Sequence, residues 1–349
     1  MRRYDIDWLR VIAIGLLLIY HVAIGFQSWG RMIGFITSPQ PWNGLWTPMA
    51  MLNVWRIPLL FFVSGMGVYF ALRQRTWKQL ITERTMRIWL PFVFGMFAIV
   101  PLHVLVFRYY YKMELRYVID PGHLWFLANI FAYVLVLSPI LFYLKKTETG
   151  KLVQLIKTIF STPWGLLIVV AAFIAEVMIV NPIPYELYAM TWHGFFLGLL
   201  AFLFGFCFVL SGYGFWHMLL TWRWMFLILA GVLFVLRINY FGINVPGYLL
   251  VTESQAWIFS VLAFGHKHLN HTGKILRYLT PAAYPVYILH MFFLFLASAI
   301  ILPLAIPVQL QFFLVLLFTL GGCLISYEII RRIKWVRVLF GMKFNTNAE

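Results

Sequence analysis

Ten apolar runs, each long enough to cross a bilayer as a helix, take up most of this 349-residue chain. They fall near residues 8–29, 45–72, 86–107, 123–144, 164–182, 191–211, 224–241, 246–265, 281–303 and 308–330. A hydrocarbon core about 30 Å thick takes about 20 residues of helix, and inside it every backbone N–H and C=O must be paired within the protein. The expectation is an all-α, polytopic integral membrane protein with about ten transmembrane helices, forming one membrane domain over residues 1–349 with no room for a soluble one. Only 11% of the residues are charged, which excludes the soluble globular class, where about a quarter are. The first run follows Arg2 and Arg3, is interrupted by Asp5, Asp7 and Arg10, and has no small-residue cleavage site after it. It reads as a retained span rather than a signal peptide. Two runs are weaker: the fifth holds Glu176, and the seventh carries Arg237 near its end and meets the eighth through a short turn from Gly242 to Val245.

The formal charge of +16, in so apolar a chain, marks basic membrane-flanking loops rather than nucleic-acid binding. Alternate connections carry it: Arg2 and Arg3; Arg73, Arg75, Lys78, Arg84 and Arg87; Lys145, Lys146, Lys151 and Lys157; Arg223; Lys267, Lys274 and Arg277; and Arg331 to Lys343. The others hold Arg31, Arg108, Lys112, Arg116 and Arg237. Basic residues stay on the cytoplasmic side, so both termini are expected there. Cys207 and Cys323 both lie inside apolar runs, which argues against a disulfide framework or a cysteine metal site, and no metal is expected.

An ionisable side chain at membrane depth is costly and marks a candidate site. Arg10 and His21 share the first run. Eleven helical steps of about 100° bring them close to one face, with His21 about 16 Å deeper. Arg56, Glu176, Glu253 with Gln255, and His290 are the other intramembrane candidates. Counted at about 1.5 Å per residue, Glu253 lies about 10 Å from the outer edge and His21 about 20 Å from the inner one, nearly level, with Glu176 close to the same depth. Either carboxylate is placed to orient the His21 imidazole; the alternative for both is a structural pair with Arg56. Arg84 and Arg87, at i and i+3 beside the start of the third run, project together if the helix extends to them, a fork suited to phosphate. Positive-inside bias explains the same residues without a site. His266, His268 and His271 resemble a metal cluster but are expected to lie in a solvated loop without a carboxylate nearby. Ser64, before Gly65, fits close helix packing better than nucleophilic chemistry.

Taken in order along the chain, these residues resemble the acyltransferase-3 superfamily of bacterial membrane acyltransferases. Arg10, ten residues and His21 match its N-terminal signature; Phe61-Phe62-Val63-Ser64-Gly65 resembles its second-span motif, and Arg84-Thr85-Met86-Arg87 its Arg-x-x-Arg motif. His123-Leu124-Trp125-Phe126-Leu127 and Tyr284 to His290 are most similar to the branch containing the glucan-biosynthesis protein C succinyltransferases. The resemblance implies transfer of an acetyl or succinyl group from cytoplasmic acyl-CoA to a hydroxyl of a glycan or similar acceptor outside the bacterial inner membrane, by a multi-pass protein with no permanently bound cofactor. It implies a catalytic His21, with Glu253 as its candidate partner, and donor binding by Arg10, Arg84 and Arg87. Arg56, His123, Trp125, Glu176 and His290 are candidate substrate residues. Acceptor delivery is expected to use the membrane core and short outer loops, without the esterase-like domain some members carry. No sequence feature specifies an oligomeric state. The alternative is a proton-coupled transporter or flippase in which His21, Glu253 and Glu176 relay protons; inverted repeats would favour it, and the sequence has none.

Overall fold

The computed structural model describes residues 3–242 and 245–344. Among them the chain is helical without strands, and ten helical segments are long and apolar enough to cross a membrane. They are Tyr4–Ile24, Asn43–Leu72, Trp77–Tyr110, Gly122–Lys146, Pro163–Val180, Trp192–Leu210, Arg223–Phe241, Gly247–His268, Lys274–Ile301 and Val308–Ile330, called here the first to tenth spans. Each coincides with an expected run, but several start earlier. The first span takes in Asp5 and Asp7, the third begins at Trp77 rather than near 86, and the ninth begins at Lys274 and runs through Pro281 and Pro285. Polar first turns lie outside an apolar window even when the backbone there is already helical. Of the expected turn from Gly242 to Val245, residues 243 and 244 lie outside the described residues, as does Arg2.

By packing, the chain groups into two compact units, each made of three separated segments. The first unit is Met1–Ala13, Asn53–Thr82 and Ala132–Leu276; the second is Ile14–Leu52, Glu83–Phe131 and Arg277–Glu349. The boundaries fall within helices, so no linker composition announces them.

In the first unit, the second and sixth spans pack backbone to backbone. A β-carbon at Gly65 would collide with the carbonyl of Phe202, and one at Gly205 with the carbonyl of Phe62. Small residues at such crossings let membrane helices approach closely, since lipid supplies no hydrophobic drive for their association. Ser64 hydrogen-bonds back to the Leu60 carbonyl at 2.7 Å, as a helix-packing serine does. The second span breaks at Val54 and Trp55, and the Val54 carbonyl accepts from Ser254 Oγ at 2.7 Å and from the Tyr188 hydroxyl at 3.2 Å. Burial raises the Tyr188 hydroxyl well above its ordinary pKa, so it stays a donor.

In the second unit, the third span widens into π-helical turns at Thr85–Trp89 and Gly95–Ile99, each ending two residues before a proline, Pro91 and Pro101. A proline cannot donate to the carbonyl four residues back and crowds it, and a π turn absorbs the misfit. The Phe97 carbonyl, four residues before Pro101, accepts instead from the Tyr117 hydroxyl.

Candidate active site

The second unit gathers four imidazoles. His21 Nδ1 lies 2.9 Å from His290 Nε2, the ring planes only 4° apart. The His290 side chain leans back along its helix, and its Nδ1 lies 2.7 Å from the Tyr287 carbonyl. A carbonyl only accepts, so the His290 proton is on Nδ1. In the neutral pair His290 Nε2 then accepts from His21 Nδ1–H, and the His21 lone pair is on Nε2. His290 is fully buried, while His21 is partly exposed.

His123 extends the row, its ring centroid 4.9 Å from that of His290, and His103 follows at 5.7 Å from His123. A tight turn sets His123: Asp120 Oδ1 accepts from the Gly122 amide at 2.7 Å, and Gly122 has φ +49°, in the left-handed region. His123 Nε2 donates to the Ile288 carbonyl at 3.1 Å, which leaves its buried Nδ1 as a lone-pair nitrogen with no hydrogen-bond partner among the described residues. The Tyr287 hydroxyl donates to the His123 carbonyl. Phe35 and Phe295 flank the row, 5.9 Å from His21 and 5.0 Å from His103. Trp125 is buried at the start of the next helix, with its ring against Phe126. Among the described residues, no group of three or more His, Cys, Asp or Glu is arranged to hold a metal ion.

The family described as an acyltransferase domain matches residues 3–328. The chain belongs to the acyltransferase-3 family. Comparison with curated proteins and with solved structures gives no match. Family membership and the ten spans together make it a multi-pass membrane acyltransferase.

Other candidate residues of this acyltransferase are placed differently from expectation. The sequence pairs Glu253 or Glu176 with His21, but the structure engages both elsewhere. Glu253 takes a two-pronged ion pair from Arg237, at 2.7 and 2.9 Å, and Glu176 holds His193 Nδ1 at 3.0 and 3.1 Å. All four belong to the first unit, and all are buried. Equal depth brings two groups together only if their helices are neighbours, and depth was all the sequence supplied. Arg237, expected near the end of the seventh span and counted there with the outer connections, begins a π turn over Arg237–Phe241 within that span and faces the eighth span.

Arg10 and His21 do lie on one helix, yet they pack into different units. Arg10 pairs with Asp7 at 3.6 Å and lies over Gly67. Arg56 is buried just past the break in the second span. The third span extends to Arg84 and Arg87, as the fork requires, but the π turn alters their angular spacing. Arg87 also reaches Glu83 at 3.1 Å and the Gly341 carbonyl at 3.3 Å. His266 is not in a solvated loop: it lies in the last turn of the eighth span, 3.0 Å from Asp5 Oδ2. Its carboxylate partner is distant in sequence, beyond the reach of any local pattern. His103 and His193 belong to no motif. The signal that marks them is the one that marks His21, an ionisable side chain inside an apolar run.

Proposed function

We propose that the protein is a membrane O-acyltransferase that moves an acetyl or succinyl group from cytoplasmic acyl-CoA to a hydroxyl of a glycan or similar acceptor outside the bacterial inner membrane. The observation that carries this reading is the hydrogen-bonded chain from the Tyr287 carbonyl through His290 to His21, which puts the lone pair on His21 Nε2. The acceptor hydroxyl gives its proton to Nε2 as its oxygen attacks the thioester carbonyl. A C–O bond forms, the C–S bond breaks, and the CoA thiolate leaves and takes the proton from the imidazolium. His290 keeps the ring oriented throughout, as a carboxylate does in a hydrolase triad. Arg84 and Arg87 contact the donor phosphates, and both termini and the basic connections face the cytoplasm. His123 Nδ1, a buried acceptor beside His290, suits an acceptor hydroxyl.

The test is release of free CoA by the purified full-length protein, with no pH gradient present, so that a proton-coupled transporter gives no signal. The wild type is expected to release CoA in an acceptor-dependent way. Substitution His21→Gln keeps a hydrogen bond but cannot take a proton. Near-normal release by His21→Gln, with an unaltered pH profile, would overturn the reading.

A further inference from the structure

In the first unit, a pocket of about 320 Å³ opens where the second, sixth and eighth spans end and the first begins. By the parity of the spans these four ends lie on one side of the membrane. Arg3, Arg73 and His266 line it together with Tyr69, Tyr213 and Trp216.

Its polar side is rigidly built. Arg3 Nε donates to Asp5 Oδ1 at 2.8 Å, its Nη2 also reaches Asp5, and its guanidinium lies 4.0 Å from the centroid of the Trp216 ring. His266 shares the same carboxylate, and its ring stands 4.6 Å from that of Trp216. A guanidinium held by an ion pair and by stacking loses little freedom when it binds a ligand. Asp5 balances Arg3, so the exposed Arg73, which leans over the Tyr69 ring at 5.9 Å, leaves the pocket net positive. The pocket wall adds a helix start. Gly212, at φ +66°, turns the chain from the sixth span into the helix Tyr213–Thr221, and among the described residues no side chain caps that helix. Gly212, Tyr213 and Trp216 of that helix start line the pocket with Arg3 and Arg73, so the positive end of its dipole lies at the same wall.

We infer that this pocket is a binding site for a phosphate ester whose remaining part is flat or apolar. Phosphate oxygens match guanidinium forks and a helix N-terminus together, and the aromatic walls match the rest of such a ligand. A nucleotide phosphate and an anionic phospholipid headgroup share this chemistry. The inference stands on the first unit alone and does not rest on acyl transfer by His21.

The test uses the full-length protein in a maltoside detergent, which carries no phosphate, with two probes: adenosine 3′,5′-bisphosphate, and phosphatidylglycerol followed by native mass spectrometry. Arg73→Gln is the variant, since Arg73 is exposed and its loss uncovers no buried partner; Arg332→Gln, another exposed arginine, is the control. Arg73→Gln is expected to weaken one probe about tenfold, the effect of one charged hydrogen bond, with the control and the thermal midpoint unchanged. Weakening of the bisphosphate assigns a nucleotide, and weakening of phosphatidylglycerol assigns a lipid. Failure of the wild type to bind either probe, or equal binding by Arg73→Gln and wild type, would overturn the inference. Equal probe binding by Arg73→Gln and wild type, with CoA release lost only in His21→Gln, overturns this inference and leaves the His21 reading intact, so the two can fail separately.

Discussion

The His21 pair of the second unit and the His193 pair of the first hold the same ring by the same atom, Nδ1, yet the partners differ in kind. For His21 the partner is a second imidazole, itself fastened to a backbone carbonyl. For His193 it is a carboxylate with both oxygens within hydrogen-bonding distance, and that ring is 1% exposed. In lipid, a carboxylate and an imidazole each relieve the other's desolvation, so together they fasten the fifth span to the sixth. The imidazole pair contains no carboxylate. It fixes a tautomer, and its His21 member is partly exposed, which is where the proposed mechanism puts the lone-pair nitrogen. Being ionisable at membrane depth therefore marks a residue as consequential without saying whether it reacts or fastens; the partner and the exposure decide that.

The same substitution at the two rings separates a base from a fastening. His21→Gln is expected to lower CoA release about 10²- to 10⁴-fold, the range for a lost general base, while folding is retained. His193→Gln is expected to lower the thermal midpoint and the yield but to leave release per folded molecule near wild type. Equal catalytic losses in both would erase the distinction. The second clasp of the first unit sharpens the point. Glu253→Gln removes the carboxylate charge that Arg237 grips with two prongs and is expected to cost about 3–5 kcal/mol of stability, read as a fall in thermal midpoint, again with turnover per folded molecule preserved. A Glu253→Gln enzyme that is stable but inactive would return Glu253 to catalysis.

A smaller effect is expected from His290→Phe, which keeps a ring but cannot accept from His21 Nδ1. Turnover should fall about tenfold, with KM for acyl-CoA unchanged and the pH profile displaced, and His290→Gln, whose amide oxygen still accepts, should recover most of it. Equal loss in both variants would reduce His290 to packing. The smallest effect belongs to Arg84→Lys and Arg87→Lys. Charge and topology are preserved while the planar fork is lost, so KM for acyl-CoA is expected to rise a fewfold with the thermal midpoint unchanged. An unchanged KM in the double variant would leave these arginines to the positive-inside rule alone.

Every span was legible in the sequence because an apolar stretch of membrane length has one stable outcome in a bilayer, a helix whose backbone bonds are all internal. An imidazole in such a stretch needs a reason, which is what makes His21 a candidate. Position along a helix also ranks residues by depth, and there the sequence stops. Depth put Glu253 level with His21, but which helix faces which is set by packing: by Gly65 and Gly205, which bring the second and sixth spans into backbone contact, and by the break at Val54 that Ser254 and Tyr188 satisfy. Only that packing gave Glu253 to Arg237, Glu176 to His193 and His21 to His290. Local composition sets the one-dimensional problem of which segments enter lipid; the pairing of buried polar groups depends on contacts between residues as far apart as 21 and 290, and only the tertiary fold brings those together.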